Sequence, residues 1–162
     1  MSKELAQLLF PNVDKTIEYY EDLYPERNLD KKAKVTRLGP SPTGFIHLGN
    51  LYGALVDERI AHLNDGTMLL RIEDTDDKRK VEGSEELIIR SLKFFGIEFD
   101  EGVSLDGEKG IYGPYRQSDR KEIYQTAAKY LTEKGFTYPS FVSEEEMAII
   151  REEQEKAGVN TG

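Results

Sequence analysis

Short apolar segments with strand character alternate with longer segments of helical periodicity in the middle of the chain. Val35–Leu38, Thr67–Ile72 and Ile97–Phe99 have the composition of short, mostly buried strands. Residues 47–63 and 84–95 lie between them and place apolar side chains at helical spacing. Strands joined by helices form parallel pairs with right-handed crossovers. The pattern therefore predicts an α/β fold with a parallel sheet and crossover helices.

The regions around this core have different patterns. Residues 1–34 contain two short amphipathic segments, each ended by a proline, followed by a charged stretch, 26–34, that is typical of a linker. Residues 100–113 contain four glycines, which indicates a loop. We also expect four helix starts, capped by the following residues: Asp14, Ser84, Asp119 with Glu122, and Ser143 with Glu146.

Composition excludes several classes of function. The 162 residues include 22 Lys and Arg against 31 Asp and Glu, and the net charge of −9 argues against general polyanion binding unless positive charge is grouped on one face. Because there is no cysteine, thiolate catalysis and cysteine-bound zinc or iron–sulfur sites are excluded. No apolar run approaches the roughly 20 residues of a membrane span, and no signal peptide is visible. These features predict a soluble cytoplasmic protein that does not bind membranes.

The first candidate site is the turn that leads from the first strand into the first core helix. Residues 39–44 contain two prolines and two glycines, and His47–Asn50 follow at the expected helix start. Glycines permit close backbone approach, and the unpaired N–H groups of a helix start attract phosphate. His47 would then donate a hydrogen bond to a phosphate oxygen. The alternative is a helix-capping turn with a surface histidine, and neither the dinucleotide fingerprint nor the P-loop pattern is present.

The second candidate site is an acidic segment, Arg71–Asp77, at the carboxyl end of the second strand. Ligands of open α/β sheets bind beyond the carboxyl ends of strands. Three interpretations stay open here: recognition of a cation such as an ammonium group, coordination of Mg²⁺, and a solvated acidic loop in which Arg71 is paired internally.

Three blocks together resemble a known family. Residues 35–50 are similar to the opening signature of class I glutamyl-tRNA synthetases, whose "HIGH" element corresponds to His47–Asn50. Residues 70–76 resemble the second block of that family and residues 113–120 a third. Glutaminyl enzymes typically have Asp in place of Glu73 and Asn in place of Asp76, so the resemblance favours the glutamyl branch.

The resemblance implies roles for individual residues. Arg37, Ser41 and Glu73 match positions that bind glutamate, Glu73 being the partner of its α-ammonium group. The positions that match the ATP-binding element are Pro40, Thr43, Gly44, His47 and Gly49, and the catalytic signature comprises His47, Gly49 and Asn50. Thr75, Asp76 and Arg79 match positions near the acceptor end of tRNA. The family usually has Ala in place of Gly39 and His or Gly in place of Asn50.

The implied activity is that of a glutamate–tRNA ligase with a Rossmann-like catalytic domain. Such an enzyme activates L-glutamate with ATP and Mg²⁺ and transfers it to the terminal adenosine of tRNA(Glu). Ser140 and Val142 stand where some members carry zinc-binding cysteines, so we expect no zinc. No site for a resident metal is predicted.

The resemblance also implies that the chain is an N-terminal fragment, inactive alone, because the Lys-x-Ser-Lys signature of the family is absent. We expect an N-terminal helical extension (1–34), the first half of the nucleotide-binding domain (35–135) and the start of an acceptor-stem-binding insertion (136–162). The alternatives are a non-catalytic module that binds nucleotide or a tRNA end, a shorter glutamyl-Q-type enzyme that charges another tRNA position, and another nucleotidyltransferase with a HIGH element.

Overall fold

A computed structural model describes residues 2–76 and 78–160. Six α-helices, four strands and one 3₁₀ turn (Ser118–Arg120) are present in these ranges. In chain order the helices and strands are α1 (Ser2–Leu9), α2 (Ile17–Leu23), β1 (Val35–Leu38), α3 (Leu48–His62), β2 (Thr67–Leu70), α4 (Ser84–Phe94), β3 (Glu101–Ser104), β4 (Gly107–Lys109), α5 (Lys121–Glu133) and α6 (Glu144–Lys156). None of the helices in the described part of the chain is long and apolar enough to cross a membrane.

The four strands form one sheet in the order β1-β2-β3-β4. Strand β1 pairs in parallel with β2, from Val35 opposite Thr67 to Leu38 opposite Leu70. Strand β2 pairs in parallel with β3, and β3 pairs with β4 as an antiparallel hairpin. Helices α3 and α4 are the two crossovers, so the predicted parallel sheet with crossover helices is confirmed.

The third strand lies later in the chain than predicted. Ile97–Phe99 is not a strand, although Ile97 is buried in the core, and the predicted loop 100–113 contains β3 and β4. The reason is Gly102, which has a φ of +130° and would place a Cβ only 2.1 Å from the carbonyl oxygen of Leu70. Here glycine permits close strand approach rather than ending a strand.

The core lies between the sheet and its crossover helices. Met68 and Leu70 of β2 are fully buried, together with Leu92 of α4 and Val103 of β3. Ile72, just after β2, is equally buried, and each such side chain contributes about 1.5–3 kcal/mol by leaving water. The buried run at the centre of the sheet therefore fixes the end of β2, where the acidic segment begins.

Of the predicted helix caps, only Ser143 with Glu146 is confirmed, as a reciprocal capping box at the start of α6. Helix α2 is capped by Thr16 instead of Asp14, and the Thr16 hydroxyl accepts a hydrogen bond from the Tyr19 N–H at 3.3 Å. The Asp119 pair with Glu122 does not form, because a 3₁₀ turn precedes α5 and leaves Arg120 at its start without a side-chain cap.

The N-terminal extension packs against helix α5. Helices α1 and α2 both contact α5, and Ala6 of α1 is fully buried there. The Lys15 ammonium group lies 2.7 Å from the Glu122 carboxylate, and Lys129 of α5 donates to the Val13 carbonyl at 2.7 Å. Residues 1–34 are thus held by α5, and the predicted three-part division of the chain stays a prediction.

His62 links the end of α3 to the loop before β3. Its Nδ1 lies 3.1 Å from the buried Glu58 carboxylate and its Nε2 lies 3.0 Å from Asp100. Asp100 also accepts a hydrogen bond from the Met68 N–H at 2.8 Å, at the start of β2. The hydrogen bond to Asp100, followed by that to Glu58, raises the pKa of His62 despite partial burial. Burial works against ionisation of Asp100, but the bonds from Met68 and His62 lower its pKa.

We therefore expect the His62 ring to titrate above its usual pKa of about 6.5. Because its folded pKa is raised, the stabilisation is complete below about pH 6.5 and is lost as pH rises through the folded value. The contribution of Asp100 is present above about pH 3.8 and is lost as pH falls through its lowered folded pKa. Proton NMR of the two histidines measures the midpoint directly, and Asp100→Asn should bring the His62 midpoint down. An unchanged midpoint in that variant would contradict the assignment.

Candidate active site

The turn after β1 encloses a cavity of about 300 Å³. Its wall includes Ile88 of α4 and the following turn and helix residues: Gly39, Pro40, Ser41, Thr43, Gly44, Phe45, Ile46, His47 and Asn50. Four of the five residues that the resemblance assigns to ATP therefore line one cavity. The fifth, Gly49, lies in the first turn of α3 outside this lining.

The turn is held from both sides by backbone hydrogen bonds. The Glu73 N–H donates to the Pro40 carbonyl at 2.9 Å, and the Val81 N–H donates to the Pro42 carbonyl at 3.0 Å. Ser84 does not cap α4, where Gly83 is the N-cap; its hydroxyl donates to the Pro42 carbonyl at 2.8 Å instead. The predicted cap is thus wrong, and Ser84 anchors the cavity wall to the start of α4.

His47 caps helix α3 and remains exposed to solvent. Its Nδ1 accepts a hydrogen bond from the Asn50 N–H, and the Asn50 side chain accepts one from the His47 N–H, both at 3.3 Å. With Nδ1 acting as an acceptor, the proton of the neutral ring lies on Nε2. The capping interpretation is therefore correct, and it leaves an oriented N–H donor beside the unpaired amides of the α3 start.

This capping box also accounts for Asn50 at the fourth signature position. Asparagine accepts the His47 N–H through its side-chain oxygen, which is the reciprocal half of the box. Its side chain is thus engaged in holding the helix start, next to the cavity that it also lines.

At the carboxyl ends of β1 and β2, two arginines surround one carboxylate. The Glu73 Oε1 lies 2.5 Å from the Arg37 Nη1 and 3.1 Å from the Arg71 Nη2. Burial raises the pKa of Glu73, but hydrogen bonds and charge from Arg37 and Arg71 outweigh it, so the net pKa is lowered. The side chains of Arg37 and Glu73 are 44% and 31% exposed, so this pair is open to an incoming ligand.

Gly39 joins this ion pair to the cavity. A Cβ at this position would lie 2.6 Å from the Glu73 Oε1 and 2.7 Å from the Arg37 Nη1, while the backbone of Gly39 lines the cavity. Alanine, which the family usually has here, would therefore make the ends of these two flexible side chains shift. Ser41 lines the same cavity two residues later, whereas Arg37 and Glu73 lie outside its lining, next to Gly39.

After Glu73, the side chains of the acidic segment bond to partners other than Arg37 and Arg71. Asp74 is buried and accepts hydrogen bonds from the Ser118 N–H at 2.9 Å and the Ser118 hydroxyl at 2.8 Å. These two bonds lower its pKa against the effect of burial. Among the described residues, no group of three or more carboxylate or histidine side chains is arranged to hold a metal ion, and Asp77 lies outside them.

Thr75, Asp76 and Arg79 follow along the chain and do not line the cavity of the β1 turn. The Arg79 Nε donates to the Asp76 carboxylate at 2.6 Å, and the Arg79 side chain is 73% exposed. The Thr75 hydroxyl donates to the Gln117 amide oxygen at 3.3 Å. Thr75 also borders a second, open cavity of about 410 Å³, together with Phe10, Gln117, Ser118, Lys121, Tyr124, Gln125 and Ala128.

Comparison with known proteins identifies the family. The model of the family described as tRNA synthetases class I (E and Q), catalytic domain, matches residues 34–161. The chain belongs to this family. A glutamate–tRNA ligase of Acetivibrio thermocellus is 63% identical over 161 residues, which cover 99% of this chain and 30% of that protein. A glutamate–tRNA ligase of Clostridium perfringens is 50% identical over 153 residues, covering 94% of this chain and 28% of that protein.

A solved synthetase structure has the same fold. The crystal structure of a glutamate tRNA ligase from Elizabethkingia meningosepticum, in complex with its amino acid, superposes with a TM-score of 0.69 at 41% identity. The match covers 80% of this chain and 25% of that one. The chain thus has the Rossmann-like architecture of class I synthetases and spans 25–30% of the length of these relatives.

Tyr115 and Ser118, which help to hold the end of β2 and the segment after it, were not singled out from the sequence. The carbonyl of Tyr115 accepts from the Ile72 N–H at 2.9 Å, and the Gln117 N–H donates to the Ile72 carbonyl at 2.9 Å. These two bonds form a parallel bridge beside the end of β2, in which Arg116 lies opposite Ile72. The only sequence signal for these residues was their place in the third block, 113–120, because this segment follows the sheet and has no strand pattern of its own.

Proposed function

We propose that this chain forms the glutamate- and ATP-binding half of the active site of a glutamate–tRNA ligase. The observation that carries the proposal is the Arg37–Glu73 pair, which lies beside a cavity at the start of α3, where His47 caps the helix. An amino acid carries both an ammonium group and a carboxylate. The ammonium group of the substrate would take the place of Arg37 beside Glu73, and a carboxylate of the substrate would take the place of Glu73 beside Arg37. No charge is then left unpaired.

Each side chain then has a role in adenylate formation. Glu73 binds the α-ammonium group of glutamate, and Arg37 and Ser41 contact the remainder of the substrate, Arg37 through a carboxylate. ATP, which enters as its Mg²⁺ complex, lies in the cavity of the β1 turn, with its phosphates at the start of α3 near Gly49. No zinc is required by this arrangement.

The reaction needs no nucleophile from the protein. A glutamate carboxylate oxygen attacks the α-phosphate of ATP in line, the bond to the bridging oxygen breaks, and pyrophosphate leaves with the electron pair. The Nε2–H of His47 donates to the phosphate oxygens as charge builds, a contribution of about 2.7–4 kcal/mol for a preorganised donor. Alignment of the two reactants supplies up to about 7–11 kcal/mol.

The second step transfers the glutamyl group to tRNA. A ribose hydroxyl of the terminal adenosine of tRNA(Glu) attacks the carbonyl carbon of the mixed anhydride, and AMP leaves. In this proposal Thr75, Asp76 and Arg79 lie toward the acceptor end of tRNA. Thr75 and Arg79 are exposed to solvent and therefore accessible to it. This activity is expected in the cytoplasm and in the full-length gene product; this chain alone is expected to be inactive.

ATP–pyrophosphate exchange by the full-length gene product tests the proposal. Exchange should require both glutamate and tRNA, and should not occur with aspartate or glutamine at the same concentration. No exchange with glutamate and tRNA together would contradict the proposal. Exchange that needs no tRNA would favour the glutamyl-Q-type enzyme or another nucleotidyltransferase of the HIGH group.

A further inference from the structure

The N-terminal extension also contacts β3 and the loop 110–117, which supports the end of β2. Arg27 forms a bidentate ion pair with Glu101 of β3, with distances of 2.5 Å from Nη1 to Oε1 and 2.7 Å from Nη2 to Oε2. The side chains are only 19% and 15% exposed. The Arg27 guanidinium also stacks on the Tyr112 ring, 3.9 Å from its centre. Such a planar, two-bond arrangement fixes the carboxylate in one orientation.

Glu101 passes this constraint to Tyr115. The Tyr115 hydroxyl donates to the Glu101 Oε2 at 2.8 Å and accepts from the Tyr112 N–H at 3.0 Å. Tyr115 is 2% exposed, and burial together with the bond to Glu101 raises its pKa to about 12. The Tyr115 side chain is therefore locked in a single position by charged and backbone groups.

The backbone of Tyr115 in turn holds the strand end that carries Glu73. Its carbonyl accepts from the N–H of Ile72, the residue immediately before Glu73. Two further bonds fasten the same loop to the extension: the Tyr24 hydroxyl donates to the Gly113 carbonyl at 2.5 Å, and the Tyr112 hydroxyl donates to the Pro25 carbonyl at 2.9 Å.

Residues 1–33 of the extension lie outside the family model, which begins at residue 34. The Acetivibrio relative aligns over 161 of the 162 residues and so includes it. An arginine outside the residues that match the family model is thus joined through the side chains of Glu101 and Tyr115 to the backbone next to Glu73.

We propose that Arg27 is a positioning residue for the amino-acid site, acting through Glu101 and Tyr115 on the backbone that places Glu73. The inference rests on the proposed function, since it takes Glu73 as the ammonium-binding group. It predicts an effect on glutamate and not on ATP, because neither the extension nor the loop 110–117 lines the cavity of the β1 turn. A small displacement of a binding group costs up to about 100-fold in rate.

The test is steady-state ATP–pyrophosphate exchange with the full-length gene product and its Arg27→Ala variant. We expect the KM for glutamate to rise about 10-fold while the KM for ATP changes less than about twofold. Arg27→Lys keeps the positive charge but not the planar, two-bond guanidinium, so its KM for glutamate should lie between those of the wild type and Arg27→Ala. Added guanidinium at millimolar concentration should lower the KM for glutamate of Arg27→Ala. Arg90→Ala is the matched control, because Arg90 forms an exposed ion pair with Glu86 within α4 and makes none of the bonds that join Arg27, Glu101 and Tyr115.

Tyr115→Phe gives a second test if Arg27→Ala does not fold. It removes one hydroxyl, keeps the packing of the ring, and should raise the KM for glutamate alone. If the wild-type enzyme is active and the KM for glutamate is unchanged in folded Arg27→Ala or in Tyr115→Phe, the inference is overturned. The proposed function is then left intact. Equal increases in both KM values would also overturn it, as a general structural effect. A wild-type enzyme without glutamate-dependent exchange would overturn the proposed function itself, and the inference with it.

Discussion

Replacing His47 with asparagine in the full-length gene product is expected to lower kcat for adenylate formation by about 10²–10³-fold. The imidazole Nε2–H is the donor that meets charge developing on the phosphates, and asparagine does not reach the same position. Asparagine is, however, a good N-cap residue, so α3 should keep its start and the variant should keep its melting temperature. Pre-steady-state exchange kinetics and a thermal melt measure the two effects separately.

His47→Ala is the companion variant. It removes both the donor and the cap, so it should lose kcat to the same extent and lower stability by a further ~0.5–2 kcal/mol. If His47→Asn keeps kcat within threefold of wild type, the histidine is a helix cap only, and its proposed catalytic role is wrong.

Replacing Glu73 with glutamine is expected to lower kcat/KM for glutamate by about 10- to 150-fold. The change removes a hydrogen-bonded charge from the ammonium site, worth about 1.5–3 kcal/mol, and each 1.4 kcal/mol is a factor of ten. The effect should lie mainly in the KM for glutamate, because the cavity for ATP keeps its lining. Initial-rate exchange at varied glutamate and fixed saturating ATP measures it.

Glu86→Gln is the matched control for this substitution. Glu86 is an exposed carboxylate on α4 that is paired with Arg90 at 2.7 Å, much as Glu73 is paired with Arg37. Equal losses in the two variants would show that the Glu73 result reflects a change in overall charge instead of recognition of the ammonium group.

The parts of the fold that follow from local pattern were predictable. The helix from Leu48 to His62 and the strand from Thr67 to Leu70 lie where apolar spacing places them. Strand β3 was not predictable in this way, because the positive φ of Gly102 is a consequence of its approach to Leu70 in the sheet. A glycine that permits contact and a glycine that ends a strand look the same in sequence.

The motif blocks predict which residues belong to the site, but they do not predict how those side chains bond to one another. His47, Arg37 and Glu73 were recognised through the motif blocks, whereas the capping role of Asn50 depends on the geometry of one helix start. The pair between Arg27 and Glu101 joins residues 74 positions apart, and only the folded chain brings them together. Such long-range contacts carry no local pattern, so the supporting role of the extension could not be read from residues 26–34.

The most direct measurement of the central claim is glutamylation of an unmodified tRNA(Glu) transcript by the full-length gene product. A transcript that ends in CCA should accept labelled glutamate in an ATP-dependent reaction, and the same transcript without its terminal adenosine should accept none. Such a result is predicted if the cavity at the α3 start and the Arg37–Glu73 pair form the site for glutamyl-adenylate. Failure to charge the intact transcript, while fully modified cellular tRNA is glutamylated at another position, would contradict the account.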